Sequence, residues 1–379
     1  MKISQILITS KEELPDLSKL SEIEPQLVLA FGSTQMLQQS DLFAKLSGAL
    51  PDAIIAGCST AGEITSRGVS HESLSLTALR FDKVRLKAAR ATLLGMEHSA
   101  QAGREIAQQL AADDLTALLL FAKGLDINGS ALIDGIKDII GSKIPISGGL
   151  AGDDIEFRKT LTVTPVGIES DAVIGIGFYG KELRVAHSCF GGWSPFGPPR
   201  KVTRSCGSIL YELDGHPALD LYRQYLGEYA KDLPSSGLLF PFEMLDADHS
   251  SLGLIRTILG IDEEAGSLIL AGDIIPDGFL RLMHSSNDKL VDGAEMAGMR
   301  LRESLGGNPG NGVAILISCV GRKIVMGDAV EEEVEVIAKT LPGVTLTGFY
   351  SYGEISPFGE TKECKLHNQT MTAVYLGED

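Results

Sequence analysis

Two stretches of fifteen residues decide the fold of this chain. The first reads Leu50-Pro51-Asp52-Ala53-Ile54-Ile55-Ala56-Gly57-Cys58-Ser59-Thr60-Ala61-Gly62-Glu63-Ile64, and the second reads Leu341-Pro342-Gly343-Val344-Thr345-Leu346-Thr347-Gly348-Phe349-Tyr350-Ser351-Tyr352-Gly353-Glu354-Ile355. They align without gaps and share six identical positions, where average composition gives about one by chance. We interpret them as two copies of one structural unit.

The sequence around each stretch repeats as well. An apolar run that is typical of a strand covered on both faces precedes each copy, at residues 27–31 and 313–316. A segment with one apolar helical face follows that run, and residues 73–79 and 368–374 then alternate polar and apolar side chains. This order predicts a β-α-β-turn-β unit, and residues 117–154 resemble a third, weaker copy.

These units predict an α/β protein with two domains of mixed or antiparallel sheets flanked by helices. Further strand patterns at residues 159–164, 171–179 and 183–190 exclude purely parallel sheets. The Pro- and Gly-rich segment at residues 191–199 interrupts the periodicity, as a linker or a lining loop does. We therefore expect one domain over residues 1–198 and another over residues 199–379.

Composition and charge restrict the possible partners. The 379 residues carry a formal net charge of -17, which opposes binding to nucleic acid or to an anionic lipid surface. The apolar runs are too short to cross a bilayer, and the first residues lack the apolar region of a signal peptide. Five cysteines without paired spacing suit a reducing compartment. We expect a cytoplasmic protein without membrane insertion.

The glycine turn that ends each copy does not match common catalytic motifs. A phosphate-binding loop needs a lysine where Glu63 and Glu354 stand, and a hydrolase elbow is one residue shorter than the segment from Gly57 to Gly62. Cys58 is a conceivable nucleophile, but its neighbours in sequence include no histidine within ten residues. We expect no enzymatic activity, with an enzyme that uses Cys58 as the less favoured alternative.

Two interpretations of the turns remain open. The glycines could form a tight corner whose glutamates cap backbone amides, or they could present N–H groups to a small ligand. Aromatic side chains with polar tips in the second copy favour binding. The residues predicted to bind a ligand are Gly57, Cys58, Ser59, Thr60, Gly62, Glu63, Gly348, Tyr350, Ser351, Tyr352, Gly353 and Glu354.

Metal-binding patterns are weak. The seven histidines are scattered, and the chain contains neither H-E-x-x-H nor C-x-x-C. His187-Ser188-Cys189 places two potential ligands on one face of a predicted strand, although such pairs are usually just packed. The identity of any metal ligand stays open.

Several of these motifs resemble the FIST family. Residues 57–64 resemble the signature of the FIST N module, and residues 347–357 and 367–370 resemble that of FIST C. Shorter matches at residues 149–153, 211–219 and 286–288 follow in the expected order. The resemblance assigns residues 1–198 to FIST N and residues 199–379 to FIST C.

The resemblance implies a sensory protein for small ligands, with amino acids as a proposed class. It also implies signalling to a separate partner, such as a histidine kinase or a cyclic-di-GMP enzyme. Some stand-alone members bind haem and sense nitric oxide, so haem is the alternative ligand. For an amino acid, we expect the turns to offer N–H groups to its carboxylate, and Glu63 or Glu354 to pair with its ammonium group.

Overall fold

The computed structural model describes residues 1–9, 15–358 and 363–378 and divides them into three similar units and one inserted lobe. The first unit contains β1 (Lys2–Thr9), α1 (Ser18–Ser21), β2 (Leu27–Gly32), α2 (Thr34–Leu37), α3 (Leu42–Ala49), β3 (Ile54–Ser59), β4 (Glu63–Thr65), β5 (Gly68–Ser70) and β6 (Ser73–Arg80).

The second unit repeats this order with longer helices. It contains β7 (Arg85–Thr92), a 3-10 turn (Met96–His98), α4 (Ser99–Leu110), β8 (Leu115–Ala122), α5 (Gly129–Ile140), β9 (Ile146–Leu150), β10 (Thr162–Thr164), β11 (Gly167–Glu169) and β12 (Ala172–Tyr179). The weak third copy predicted at residues 117–154 lies in this unit.

The third unit is divided by the inserted lobe. It begins with β13 (Leu183–Phe190) and resumes with α7 (Asn287–Ser304), β23 (Gly312–Cys319), α8 (Val320–Met326), a 3-10 turn (Gly327–Ala329), α9 (Val330–Thr340), β24 (Thr345–Ser351), β25 (Gly353–Phe358), β26 (Glu363–His367) and β27 (Met371–Glu378).

The lobe lies between β13 and α7 and forms a largely antiparallel sheet of its own. Its elements are β14 (Ser194–Pro195), β15 (Arg200–Cys206), β16 (Ile209–Leu213), β17 (His216–Pro217), α6 (Ala218–Leu226), two 3-10 turns (Gly227–Asp232 and Ser235–Leu239), β18 (Phe242–Leu245), β19 (Ser251–Arg256), β20 (Ile258–Asp262), β21 (Ser267–Leu270) and β22 (Phe279–His284).

Each unit builds one six-stranded sheet with a hairpin borrowed from another unit. The strand orders are β1-β6-β2-β3-β10-β11, β7-β12-β8-β9-β25-β26 and β13-β27-β23-β24-β4-β5. In each sheet the central apolar pair runs parallel, as β2 with β3, β8 with β9 and β23 with β24, and the other pairs are antiparallel. The predicted mixed sheets with flanking helices are confirmed.

The three sheets meet at a common core. Phe31, Phe121 and Phe349 come from one sheet each and are fully buried. Their ring centroids lie 4.8 Å apart for Phe31 and Phe349, 5.4 Å for Phe31 and Phe121, and 6.1 Å for Phe121 and Phe349. Aromatic rings at such distances add attraction to the area that they bury.

Sheets are shared across the predicted domain boundary. Strand β13 pairs with β27, β25 pairs with β9, and β4 pairs with β24, so each of these pairs joins residues before and after position 198. The division into residues 1–198 and 199–379 stays a prediction.

Candidate functional site

The glycine turns of the three units meet and bond to one another in a ring. The N–H of Ala61 donates to the carbonyl of Tyr350 at 2.8 Å, and the N–H of Gly152 donates to Ser59 at 2.9 Å. The N–H of Tyr352 closes the ring by donating to Leu150 at 3.2 Å. The repeated motif therefore joins the three sheets at one point.

Close backbone contact explains the first glycine of each turn. A Cβ atom on Gly57 would lie 1.9 Å from the carbonyl oxygen of Ala30, and one on Gly348 would lie 1.8 Å from that of Leu316. Both glycines also have a positive φ, at 157° and 152°. Any side chain there would push neighbouring strands apart.

The two repeated glutamates are buried inside this junction. Glu63 accepts hydrogen bonds from the hydroxyls of Thr60 and Ser73, and burial raises its pKa to about 7. Glu354 accepts bonds from the hydroxyl of Ser351 at 2.8 Å and from the hydroxyl and N–H of Thr370 at 2.9 and 3.2 Å. Burial raises the pKa of Glu354 to about 8, because desolvation disfavours the ionised carboxylate.

Eleven of the twelve residues predicted to bind a ligand are buried, and Tyr352 is half-buried. The hydroxyl of Tyr352 donates to Asp153, and its ring stacks on Phe157 at 4.5 Å. Cys58 is fully buried, which raises the pKa of its thiol and favours packing over nucleophilic chemistry. The structure brings the two turns together, and their role in binding stays a prediction.

A cavity of about 700 Å³ lies between the lobe and the third unit. The third unit contributes part of β13, the segment after it, α7, the end of β25 and Thr370, and the lobe contributes β18, β19 and Met283. The lining residues are His187, Ser188, Cys189, Phe190, Gly191, Gly192, Trp193, Glu243, Ser251, Gly253, Ile255, Met283, Arg300, Ser304, Pro357, Phe358 and Thr370. Pockets of this size hold drug-sized ligands.

Two charged residues face this cavity. Glu243 has a side chain that is 10% exposed, and its carboxylate accepts bonds from Ser251 at 2.5 Å and from Arg281 at 2.7 Å. Arg300 is exposed on α7, and its guanidinium lies 5.7 Å from the ring centre of Phe190. Within the described part of the chain, Arg300 forms no ion pair.

The cavity also contacts the junction of the turns. Thr370 lines the cavity and donates to Glu354. On another wall, the carbonyl of Gly191 accepts a bond from the buried guanidinium of Arg322. Arg322 in turn donates to the fully buried Glu333 at 2.8 Å. A chain of polar contacts therefore links the cavity wall to α8, which carries Arg322, and to α9, which carries Glu333.

Sequence reasoning anticipated only part of this cavity. The sequence predicts a linker or a lining loop at residues 191–199, and Gly191, Gly192 and Trp193 line the cavity. The sequence also singled out His187 and Cys189 as neighbours on one strand face. Glu243 and Arg300 were missed, because they belong to no motif and lie far from one another in the sequence.

Two family models match the chain. The FIST N domain matches residues 26–216 and the FIST C domain matches residues 218–357, which together cover most of the sequence. The chain belongs to the FIST family. Membership of this family suggests a role in sensing or signal transduction, and the family models identify neither a ligand nor a partner.

Similar proteins are uncharacterised. One from Mycobacterium tuberculosis is 28% identical over 251 residues, which is 63% of this chain and 60% of that protein. One from Methanocaldococcus jannaschii is 25% identical over 287 residues, 68% of this chain and 54% of that protein. The FIST protein thus matches less than two thirds of the length of these relatives.

A search of solved structures returned cyanuric acid hydrolase from A. caulinodans. The two chains are 9% identical, each is 99% covered, and the TM-score is 0.37. That score is too low to support a functional argument. Among the described residues, no helix has both the length and the apolar character needed to span a membrane.

Proposed function

We propose that this FIST protein is a non-enzymatic sensor that binds a small ligand, of the amino acid class, in the cavity between the lobe and the third unit. The observation that carries the proposal is a cavity of about 700 Å³ with a buried carboxylate and an exposed guanidinium. Glu243 would face the ammonium group of the ligand, and Arg300 would face its carboxylate. The apolar walls would hold its side chain.

This site differs from the one predicted at the glycine turns. Glu63 and Glu354 are 1% and 0% exposed and, unlike Glu243, do not line the cavity, so pairing with a ligand would require the junction to open. Thr370 lines the cavity and donates a hydrogen bond to Glu354, so it connects the second turn to the cavity without such opening. The turn would then act by positioning Thr370.

Thermal unfolding with a panel of L-amino acids tests the proposal. A ligand at 100 times its Kd should stabilise the protein by about 2.7 kcal/mol. Glu243→Gln and Arg300→Gln should reduce this shift, whereas Arg104→Gln, a half-buried change on α4 outside the cavity lining, should leave it unaltered. An absence of any shift across the panel would contradict the amino acid class.

We further propose that the ligand signal leaves through a separate protein, such as a histidine kinase or a cyclic-di-GMP enzyme. The links from the cavity to Arg322, Glu333 and α9 support this route. Adding the FIST protein to a candidate kinase should change autophosphorylation, and the bound amino acid should alter that change. An identical kinase rate under all conditions would exclude that partner.

Haem is the second candidate ligand, because His187 and Cys189 lie on the wall of the same cavity. Burial raises the pKa of Cys189 to about 12, which disfavours the thiolate that a cysteine ligand supplies, so we take His187 as the axial donor. Phe190, Trp193 and Phe358 supply apolar walls, and Arg300 could pair with a propionate. These residues fit a haem, which would supply an iron that binds nitric oxide.

A visible spectrum separates the two ligands. Protein that is expressed with a supply of haem should show a Soret band that moves when nitric oxide is added, and His187→Ala should remove the band. Cys58→Ser serves as the control, because it removes a potential iron ligand that lies in the buried core outside the cavity. A spectrum without a Soret band would eliminate the haem candidate.

A further inference from the structure

Two hydroxyl groups of the cavity wall donate their protons to backbone carbonyls. The hydroxyl of Ser188 lies 2.8 Å from the carbonyl oxygen of Ala297, and that of Ser304 lies 2.9 Å from the carbonyl of Arg300. A carbonyl oxygen can only accept, so the direction of both bonds is fixed. Each serine can then offer only lone pairs to a ligand.

Two further hydroxyls of the wall point their protons at carboxyl groups. Ser251 donates to Glu243 at 2.5 Å, and Thr370 donates to Glu354 at 2.9 Å. The same oxygen of Glu354 accepts the N–H of Thr370, which confirms that it acts as an acceptor. The indole N–H of Trp193 is also engaged, with the carbonyl of Gln369 at 2.8 Å. These four hydroxyls and the indole N–H are therefore committed to partners inside the protein.

Acceptors and aromatic faces remain for a ligand. The carboxylate of Glu243 lies on this wall, is nearly buried, and accepts a hydrogen bond from the guanidinium of Arg281 at 2.7 Å. The rings of Trp193 and Phe358 line the cavity, and aromatic faces attract cations. Arg300, unlike these groups, carries a positive charge. It lies exposed beside the ring of Phe190, where water and salt weaken its repulsion of a cationic ligand.

We infer that this cavity binds ligands that carry a cationic amine on an aromatic ring system. The ligand class therefore extends to aromatic amines without a carboxylate. This inference rests on the proposed function, because it specifies the ligand of the same cavity. A primary ammonium group has three donors and no acceptor. It therefore complements a wall that offers Glu243 and four hydroxyl oxygens. The net charge of -17 adds a general attraction for cations.

Three matched compounds test the inference by isothermal titration at neutral pH. Tryptamine has the amine without the carboxylate, indole-3-propionate has the carboxylate without the amine, and L-tryptophan has both. We expect tryptamine to bind at least tenfold more tightly than indole-3-propionate. Equal or tighter binding of indole-3-propionate would overturn the inference.

Variants of the two charged residues provide a second test with tryptamine. Glu243→Gln should weaken tryptamine binding at least tenfold, whereas Glu264→Gln, an exposed change in the same lobe, should not. Arg300→Gln should preserve or improve tryptamine binding, because it removes a like charge. A tenfold loss with Arg300→Gln would contradict the inference. If Glu243→Gln unfolds, the comparison of the three compounds on the unaltered protein decides.

The failure of the inference differs from the failure of the proposed function. If L-amino acids stabilise the protein but tryptamine does not bind, the amine requirement is wrong and the sensor proposal stands. If neither the amino acids nor the three indole compounds bind, both proposals are wrong.

Discussion

Replacing Glu354 by glutamine tests whether the turn junction holds this carboxyl group in its protonated form. Burial raises the pKa of Glu354 from a reference value of 4.5 to about 8. Between these values, the native state retains a proton that the unfolded chain has released. The stabilisation is complete below the unfolded pKa and is lost as pH rises through the folded pKa.

The magnitude follows from the shift in proton affinity. Each tenfold change is worth about 1.4 kcal/mol, so Glu354 should remove on the order of 4 kcal/mol of unfolding free energy between pH 5 and pH 8. Glutamine releases no proton, yet its oxygen can accept from Thr370 and its amide nitrogen can donate to Ser351. The variant should therefore fold and should lack this pH dependence.

The assay is urea unfolding from pH 5 to pH 9, followed by the fluorescence of the single tryptophan, Trp193. Subtracting the unfolding free energy of the wild type from that of Glu354→Gln at each pH cancels the contributions of Glu63, the histidines and the other titrating groups. The difference should grow in favour of the variant as pH rises. Glu332→Gln, an exposed change on α9, should give a constant difference. A constant difference for Glu354→Gln as well would refute the reasoning.

Three other outcomes follow from burial and close contact. Gly348→Ala should lower the unfolding free energy by more than about 3 kcal/mol, because the new Cβ would lie 1.8 Å from a carbonyl oxygen of β23. The control Gly48→Ala adds its Cβ to an open position on α3. In the same urea assay it should be neutral or stabilising by up to about 1 kcal/mol. Arg322→Met should lower the unfolding free energy by about 3–5 kcal/mol, because it leaves the buried charge of Glu333 without its partner. Adding Glu333→Leu should recover part of this loss. Equal losses for the single and double variants would contradict this. Cys206, the exposed cysteine, should react with a thiol reagent much faster than the other four, and mass spectrometry of the labelled peptides checks this.

The repeats in the sequence predicted the mixed sheets with flanking helices, whereas the sequence analysis expected two domains and marked the third copy only weakly. Leu50–Ile64 and Leu341–Ile355 do occupy equivalent places, as strand β3 with the start of β4 and strand β24 with the start of β25. Local patterns carried this information, because apolar runs and helix faces depend on neighbouring residues. The exchange of hairpins could not be predicted in this way, since it depends on which sheet edge lies nearest in space.

The candidate cavity was harder to predict than the fold. Its two charged residues come from β18 and α7, which meet only after the lobe has packed against the third unit. Glu354 stood out in the sequence as a candidate binding group, but its burial and its bonds with Ser351 and Thr370 depend on the folded junction. The motif drew attention to the correct neighbourhood, and Thr370 links it to the cavity wall.

The hairpin exchange has a consequence for synthesis on the ribosome. The sheet of the first unit needs β10 and β11, which emerge about 100 residues after β3, and the sheet of the third unit needs β4 and β5, which emerge first. The β4–β5 hairpin must wait for its partner strand β24 until almost the whole chain has been made. A nascent chain that stalls before residue 345 would thus expose an unpaired hairpin and an open sheet edge, both of which invite association with other chains.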